Sequence, residues 1–311
     1  MELSIVIVSW NVKELLGGCL RSIIETVHNI EYEIVVVDNN SSDGSVDFIK
    51  TNFPQVVLIE NFDNRGFASA NNQGFKAANG EYIFILNPDT VVKSDAISIL
   101  LKQIKTLSKA GIVGPKLILG DGKTQFACAR KLPTLLNVSL LQGFSIGNIP
   151  VFGKYFKKRM AFPYNYNKLE QVEAISGASM LMKKDLLFQV GLFDEDFLHG
   201  GEDIFLCNKI TEFGKKIYYI PECEIIHFHG QSAKQDKARV FFNNIKSDRT
   251  YFNKTNGYTA GKIYHYMVLF ILMPRMFMSS NIKYFLKLID KNEYRNRMNI
   301  LQKIINWGIT N

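Results

Sequence analysis

No C-x-x-C pair occurs anywhere in the 311 residues, and the four cysteines, Cys19, Cys128, Cys207 and Cys223, each sit inside an apolar segment. That pattern argues against a disulfide framework and against a structural zinc site, and it fits a reducing compartment. No G-x-G-x-x-G follows any strand-like run, which disfavours a dinucleotide-dependent oxidoreductase. The first apolar run leads into Ser9-Trp10-Asn11-Val12 where a sugar nucleotidyltransferase would want a glycine-rich phosphate loop. Met1 to Trp10 has no basic flank and its apolar run is too short for a signal peptide or a span, so the protein is expected to start in the cytoplasm. Ile263 to Met278 is apolar but holds His265 and a Pro274-Arg275 break, short of the roughly 20 residues a spanning helix needs, so an interfacial or core helix is expected. Internal repeats and low-complexity tracts are missing. The basic residues form no stripe interleaved with aromatics on one element, so nucleic-acid binding has little support.

What is present is a chain able to bury a large core, with 47% hydrophobic residues, and a formal charge of +8 that suits anionic partners such as nucleoside diphosphates or an anionic membrane surface. Leu3 to Ser9 is β-branched and uninterrupted by charge, as a central parallel strand covered on both faces should be. Apolar residues at helical spacing then fill Val12 to Val27. The alternation repeats with strands at Tyr32 to Val37, Val56 to Glu60 and Ile83 to Leu86, separated by helices at Val46 to Asn52 and Ala68 to Ala78. A helix from Ser94 to Ser108 and a strand from Ile112 to Leu117 follow. Four such alternations predict an α/β fold, a doubly wound and mostly parallel sheet with right-handed crossovers. Gly120 to Leu169 mixes Gly, Pro, Phe, Tyr and Lys without periodicity and reads as a long insertion, either a lid over a second substrate or a membrane-facing segment. Val172 to Met182 reads as one strand, Lys216 to Ile220 and Glu224 to Phe228 as a strand pair, and a helix runs from Glu202 to Phe213. Beyond Ala233 helices are expected.

The most informative stretch is Ile83-Phe84-Ile85-Leu86-Asn87-Pro88-Asp89-Thr90, an apolar strand that stops at a polar tripeptide with one carboxylate. Ligands of open α/β sheets bind at the carboxyl ends of the strands, so Asp89 sits where a metal and a phosphate would be expected. A Pro-Asp turn capping the next helix explains the same residues. Asp89 has company, however: Ser9 with Asn11, Asp38, Asn64-Arg65, Glu202-Asp203 and His227 are also polar groups at element ends, in order along the chain.

The segments Ser4 to Asn11, Val36 to Ser45, Asn64 to Ala68, Leu86 to Asp89, Gly201 to Asp203 and His227 to Ser232 together resemble family 2 glycosyltransferases of the GT-A fold, most closely their rhamnosyltransferase-like branch. The resemblance covers about Leu3 to Ser232. It implies a GT-A catalytic domain over 1–232, with a nucleotide-binding half at 1–118 and an acceptor-binding half at 119–232, followed by a helical extension over 233–311 that is a candidate for membrane association. It further implies that Asp38 bonds a pyrimidine base, with Ser9 and Asn11 lining the pocket, and that Asn64 and Arg65 reach the base or diphosphate. Asn87 and Asp89 stand for the metal motif, whose first position is usually aspartate. Losing that carboxylate leaves Asp89, with His227 or else His229, to hold Mn²⁺ or Mg²⁺; an imidazole ligand favours Mn²⁺. Asp203 is nominated as the base that takes the proton of an acceptor hydroxyl in an inverting transfer, with Glu202, Gly177 and Asp194 on the acceptor side. An acidic pair favoured by the helix dipole is the competing account of Glu202 and Asp203. The implied partners are a nucleoside-diphosphate-sugar, first a deoxythymidine-diphosphate-rhamnose, and a saccharide or lipid-linked saccharide at the cytoplasmic face of a membrane. A non-catalytic carbohydrate-binding scaffold with a degenerate transferase fold is the remaining alternative.

Overall fold

The structure is a computed structural model that describes residues 1–144, 149, 152–197, 200–228 and 237–310. Contacts divide it into two compact units, one of 1–132, 162–195 and 202–234, the other of 133–161, 196–201 and 235–311. Part of the insertion thus clusters with the C-terminal helices.

The first unit is built on a nine-stranded mixed sheet. Its strands are β1 (Leu3–Ser9), β2 (Tyr32–Asp38), β3 (Val57–Glu60), β4 (Tyr82–Leu86), β5 (Thr90–Val92), β6 (Ala110–Ile118), β8 (Glu170–Val172), β10 (Ser179–Lys183) and β11 (Lys216–His227), with β7 (Ala129–Arg130) and β9 (Ala174–Ile175) forming a separate ladder. Every residue of β1 and β4 is buried, as their unbroken apolar sequences require. Crossover helices Lys13–Thr26, Ser45–Asn52 and Phe67–Ala77 return the chain so that β3, β2, β1 and β4 run parallel. Beyond β4 the direction reverses: β10 lies antiparallel between β4 and β6, and β11 runs parallel to β6 while pairing β5 and β8 antiparallel. The core is a layer of Ile, Val, Leu and Phe from β1, β2 and β4 with Met180 and Met182 of β10. Each such side chain, once fully buried, contributes about 1.5–3 kcal/mol.

Two expectations about this sheet need correcting. The strand pair expected at 216–220 and 224–228 is a single strand whose register against β6 shifts between Ile220 and Glu224. Pro221 looks like a turn residue, but a proline is equally at home in a bulge. Conversely, the strand expected from Val172 to Met182 is split into β8, β9 and β10, with a turn at Ser176 to Ala178.

The second unit contains helices Lys237–Asn256, Tyr258–Met267, Met273–Phe285 and Lys291–Thr310, with Leu135–Val138 and Gly153–Ala161 from the insertion. Phe252 and Tyr264 pack ring on ring at 5.3 Å, and His265 lies 4.6 Å from Trp307. The break expected at Pro274 is a π-helical turn, Val268–Leu272, after which Pro274 occupies the first turn of the following helix. At that position a missing N–H costs little. No helix of the described residues is long and apolar enough to cross a membrane. All four cysteines are free and buried, and burial pushes the Cys19 and Cys207 thiols up to about 12.

Candidate active site

Parallel register brings Ser9 and Asp38 side by side at the carboxyl ends of β1 and β2. Asp38 Oδ1 accepts a hydrogen bond from the Ser41 amide at 2.8 Å, while Asp38 Oδ2 and Ser9 Oγ are buried and meet no partner among the described residues. A buried acceptor left unsatisfied costs about 1–3 kcal/mol, so two together mark a place where a ligand's donors belong. Asn11 adopts a left-handed backbone, φ 53°, and its Oδ1 accepts from the Ser42 amide at 2.7 Å. It thus laces the loop after β1 to the loop after β2. Asn39 does similar work one residue beyond Asp38. Its amide nitrogen donates to Asn64 Oδ1 at 2.9 Å, and its oxygen accepts from the Arg65 backbone at 3.1 Å and from Asn61 at 3.1 Å. Asn64 therefore shapes its own loop, and Arg65, half exposed, pairs with Asp63 at 3.2 Å.

At the end of β4, the Asn87 amide donates to the Ala178 carbonyl at 2.9 Å, and Asn87 Oδ1 is another buried acceptor without a partner among the described residues. Antiparallel pairing of β5 with β11 sets Thr90 opposite His227, and the Phe228 amide donates to the Asp89 carbonyl at 2.9 Å. Those two ladders bring His227 Nε2 to 3.2 Å from Asp89 Oδ1, both side chains being buried. The other ring nitrogen, Nδ1, lies 2.8 Å from Gln125 Oε1. His229 lies outside the described residues.

Asp203 opens the helix Glu202–Glu212 and is buried together with Glu202. Its Oδ2 accepts from the Gly177 amide at 2.9 Å and its Oδ1 from the Ile204 amide at 2.8 Å, with Arg130 at 3.7 Å. Glycine at 177 allows this close approach, because a Cβ there would meet the Asp203 Cβ at 3.0 Å, tighter than most such contacts. The turn at 176–178 thereby joins the two halves of the site: it holds Asn87 through Ala178 and Asp203 through Gly177. Asp194 is half-buried in the turn that Asn72 pins through Phe193, with bonds of 2.9 and 3.1 Å.

Four residues of this constellation were not anticipated: Asn39, Gln125, Arg130 and Ser179. Ser179 begins β10 opposite Leu86, and its buried hydroxyl meets no partner among the described residues. Arg130 arrives through the pairing of β7 with β9, opposite Ala174. Asn39 adjoins Asp38 in the same polar run, which was the available signal. For Gln125 and Arg130 it was weaker: Gly120-Asp121-Gly122 is a turn that sends the chain back toward the end of β6.

Chemically, Asp89 Oδ1 and His227 Nε2 face each other at 3.2 Å, an approach that needs a proton or a cation between or beside them. Among the described residues no group of three or more His, Cys, Asp or Glu is placed to hold a metal ion. The pair, with Asn87 next to it, suits a hard cation whose remaining oxygen ligands come from a bound diphosphate and water.

Comparison with known proteins gives concordant relatives. The sequence model of Glycosyl transferase family 2 matches residues 4–185. The N-acetylglucosaminyl-diphospho-decaprenol L-rhamnosyltransferase of Mycobacterium tuberculosis is 27% identical over 221 residues, covering 66% of this chain and 69% of that one. The poly-beta-1,6-N-acetyl-D-glucosamine synthase of Staphylococcus epidermidis is 29% identical over 225 residues, 70% of this chain, which spans about half (48%) of the synthase. Among solved structures, a mannosyltransferase from Pyrobaculum calidifontis in complex with GDP-Man and Mn²⁺ superposes with a TM-score of 0.54 at 17% identity, over 98% of this chain and 85% of that one. S. aureus TarS gives a TM-score of 0.54 at 16% identity, over 98% and 80%.

Proposed function

The chain belongs to glycosyl transferase family 2, and from that premise we propose that it is a cation-dependent, inverting glycosyltransferase. Its donor is a nucleoside-diphosphate-sugar carrying rhamnose or a similar sugar, and its acceptor a hydroxyl of a lipid-linked saccharide on the way to a polysaccharide. The observation that carries this reading is the set of buried polar oxygens Asp38 Oδ2, Ser9 Oγ and Asn87 Oδ1 at neighbouring strand ends, without a hydrogen-bond partner among the described residues, beside the facing pair Asp89 and His227. A pyrimidine ring N–H satisfies Asp38, and ribose hydroxyls suit Ser9. The rhamnosyl donor and the diphospholipid acceptor follow the name of the mycobacterial relative.

In this reading Asp89 and His227 would hold the cation and Asn87 would accept from its hydration shell. A bound divalent cation neutralises charge on the departing nucleoside diphosphate. Asp203 takes the proton of the attacking hydroxyl. The acceptor oxygen bonds to the anomeric carbon as the bond from that carbon to the phosphate oxygen breaks, the diphosphate leaving with the electron pair, and attack from the opposite face inverts the centre. Two backbone donors and Arg130 fix the Asp203 carboxylate, so its orientation is paid for before substrate arrives. Arg65 turns to the diphosphate only by leaving Asp63, an exposed pair worth little.

The test is a thermal-shift series with deoxythymidine- and uridine-diphosphate sugars in the presence and absence of Mn²⁺. A donor at ~100 times its Kd adds about 2.7 kcal/mol to stability, and only the cognate base and sugar reach that value with Mn²⁺ present. Absence of any shift across the series rules the donor assignment out.

We extend the proposal to peripheral membrane contact, which would bring the enzyme to a lipid-linked acceptor. Supporting it, Ile263, Tyr266, Phe270 and Phe277 recur at helical spacing and are exposed, Phe270 at 72%, with Phe285 exposed at 85%. Exposed aromatics on consecutive turns, near Lys262, Lys283 and Lys287, suit the headgroup boundary of an anionic bilayer. In flotation assays on vesicles containing phosphatidylglycerol, wild type rises with the lipid, and the triple change Phe270→Ser, Phe277→Ser, Phe285→Ser stays in the dense fraction. Equal flotation of the two proteins, or none by wild type, removes this contact.

A further inference from the structure

Gln125 is a polar side chain only 7% exposed that binds neither donor nor acceptor in the reading above, yet its Oε1 lies 2.8 Å from His227 Nδ1. We propose that Gln125 is a positioning residue: by accepting from Nδ1–H it fixes His227 in the tautomer that turns the bare Nε2 toward Asp89 and a divalent cation. This rests on the metal assignment of the preceding subsection.

The argument is one of donor count. A neutral imidazole carries one N–H, and the nitrogen that keeps it is set by what the other faces. An amide oxygen only accepts, so an imidazole 2.8 Å from Gln125 Oε1 bonds to it only by donating from Nδ1. Nε2 then presents a lone pair 3.2 Å from a carboxylate oxygen, an arrangement that suits two ligands of one cation. Were the amide reversed, its NH₂ would donate to Nδ1. Nε2–H would then bond to Asp89, and the histidine would have nothing to offer a metal. The two orientations of one amide thus separate a cation site from a plain Asp–His pair.

The Gln125 backbone is anchored at both its N–H and its carbonyl. Its N–H donates to the Leu117 carbonyl at 2.8 Å and its carbonyl accepts from the Cys128 amide at 2.9 Å, which docks the residue on the end of β6. The neighbouring Thr124 bridges to Ile118 in the same strand. His227, at the end of β11, is held to Thr90 by the β5 ladder and stands on the neighbouring strand, since β11 pairs with β6. His227 therefore hangs from a paired strand, and Gln125 sits in a loop tied to the end of β6 by backbone hydrogen bonds, so neither partner of the bond stands on an unanchored segment.

The experiment uses the full-length protein and two readouts that do not require turnover. In the metal-free wild type at pH 8, ¹⁵N-detected imidazole NMR is expected to report His227 protonated on Nδ1 alone; protonation on Nε2, alone or in addition, overturns the proposal. Mn²⁺ affinity in the presence of uridine diphosphate is then measured by electron paramagnetic resonance for wild type, Gln125→Leu and Gln125→Glu. Removing an outer-shell partner costs about 10–100-fold in metal affinity, so the leucine variant, similar in size and without an acceptor, is expected to bind that much more weakly. The glutamate variant, which still accepts, binds at least as well as wild type. Equal affinity for the leucine variant and wild type overturns the positioning role and leaves the metal assignment standing, whereas no Mn²⁺ binding by wild type removes both. Should the leucine variant fail to fold, the wild-type tautomer and the glutamate variant still decide the matter.

Discussion

Asp203→Asn lowers sugar transfer by about 10³-fold, the middle of the range for general base catalysis, while donor affinity stays within a factor of about three. The expectation follows from what asparagine keeps and what it loses. It has the volume of aspartate, and its amide oxygen can keep the 2.9 Å bond from Gly177. It has no oxygen able to take up a proton. Its NH₂ group would face the Ile204 amide, which now donates to Oδ1, so a local cost of about 1 kcal/mol accompanies the change. That cost is small against the stability of a domain of this size, and a thermal melt separates it from the catalytic loss. Initial rates with a saturating donor, next to donor affinity by calorimetry, give the comparison. A rate within tenfold of wild type would move the base elsewhere, and Glu202, buried on the same turn, is the first place to look.

The second large effect is expected at Asp89. Its backbone carbonyl accepts from Phe228 and that bond survives substitution, so Asp89→Ala removes the carboxylate without dismantling the β5 and β11 ladder. A cation at a departing diphosphate is worth several kcal/mol, and a loss of about 3 kcal/mol corresponds to a rate lower by ~10²-fold. Both donor binding and transfer should fall, in contrast with the Asp203 variant, and chelation of the metal from wild type should reproduce the deficit. Donor affinity that is indifferent to chelation in wild type and unchanged in Asp89→Ala contradicts the role given to this carboxylate.

The strands that carry the donor side are legible because burial on both faces writes itself as continuous apolar sequence: Leu3 to Ser9 and Tyr82 to Leu86 have no polar face to obscure them. The abrupt polar ends of those strands, at Asp38 and Asn87-Pro88-Asp89, are legible for the same reason. What is not legible depends on pairings between residues distant in sequence. Pro221 reads as a turn because local propensity says so, and only the register shift of β11 against β6 reveals a bulge. Ser176-Gly177 reads as strand interior because its neighbours are apolar, although the close approach of Asp203 is what glycine permits there. Arg130 and Gln125 lie in a stretch without period, and their place beside Asp203 and His227 comes from two short pairings, β7 with β9 and Ile118 with Thr124. Pro133 to Ala161 resists reading altogether, since its helices cluster with segments more than one hundred residues away, such as Gln142 with Asp248 at 3.0 Å. Arg65 is the counterexample on the donor side: its position in the motif is clear, and its guanidinium nonetheless rests on Asp63.

The reversed strand β10 has a bearing on how the chain is made. During synthesis the partner of one flank of β4, the five buried residues from Tyr82 to Leu86, is not made until residues 179–183 are added. An open, charge-free border of that kind recruits other nascent chains. Truncated products ending before Ser179 are therefore expected to aggregate where the full chain does not, which light scattering of the two would show.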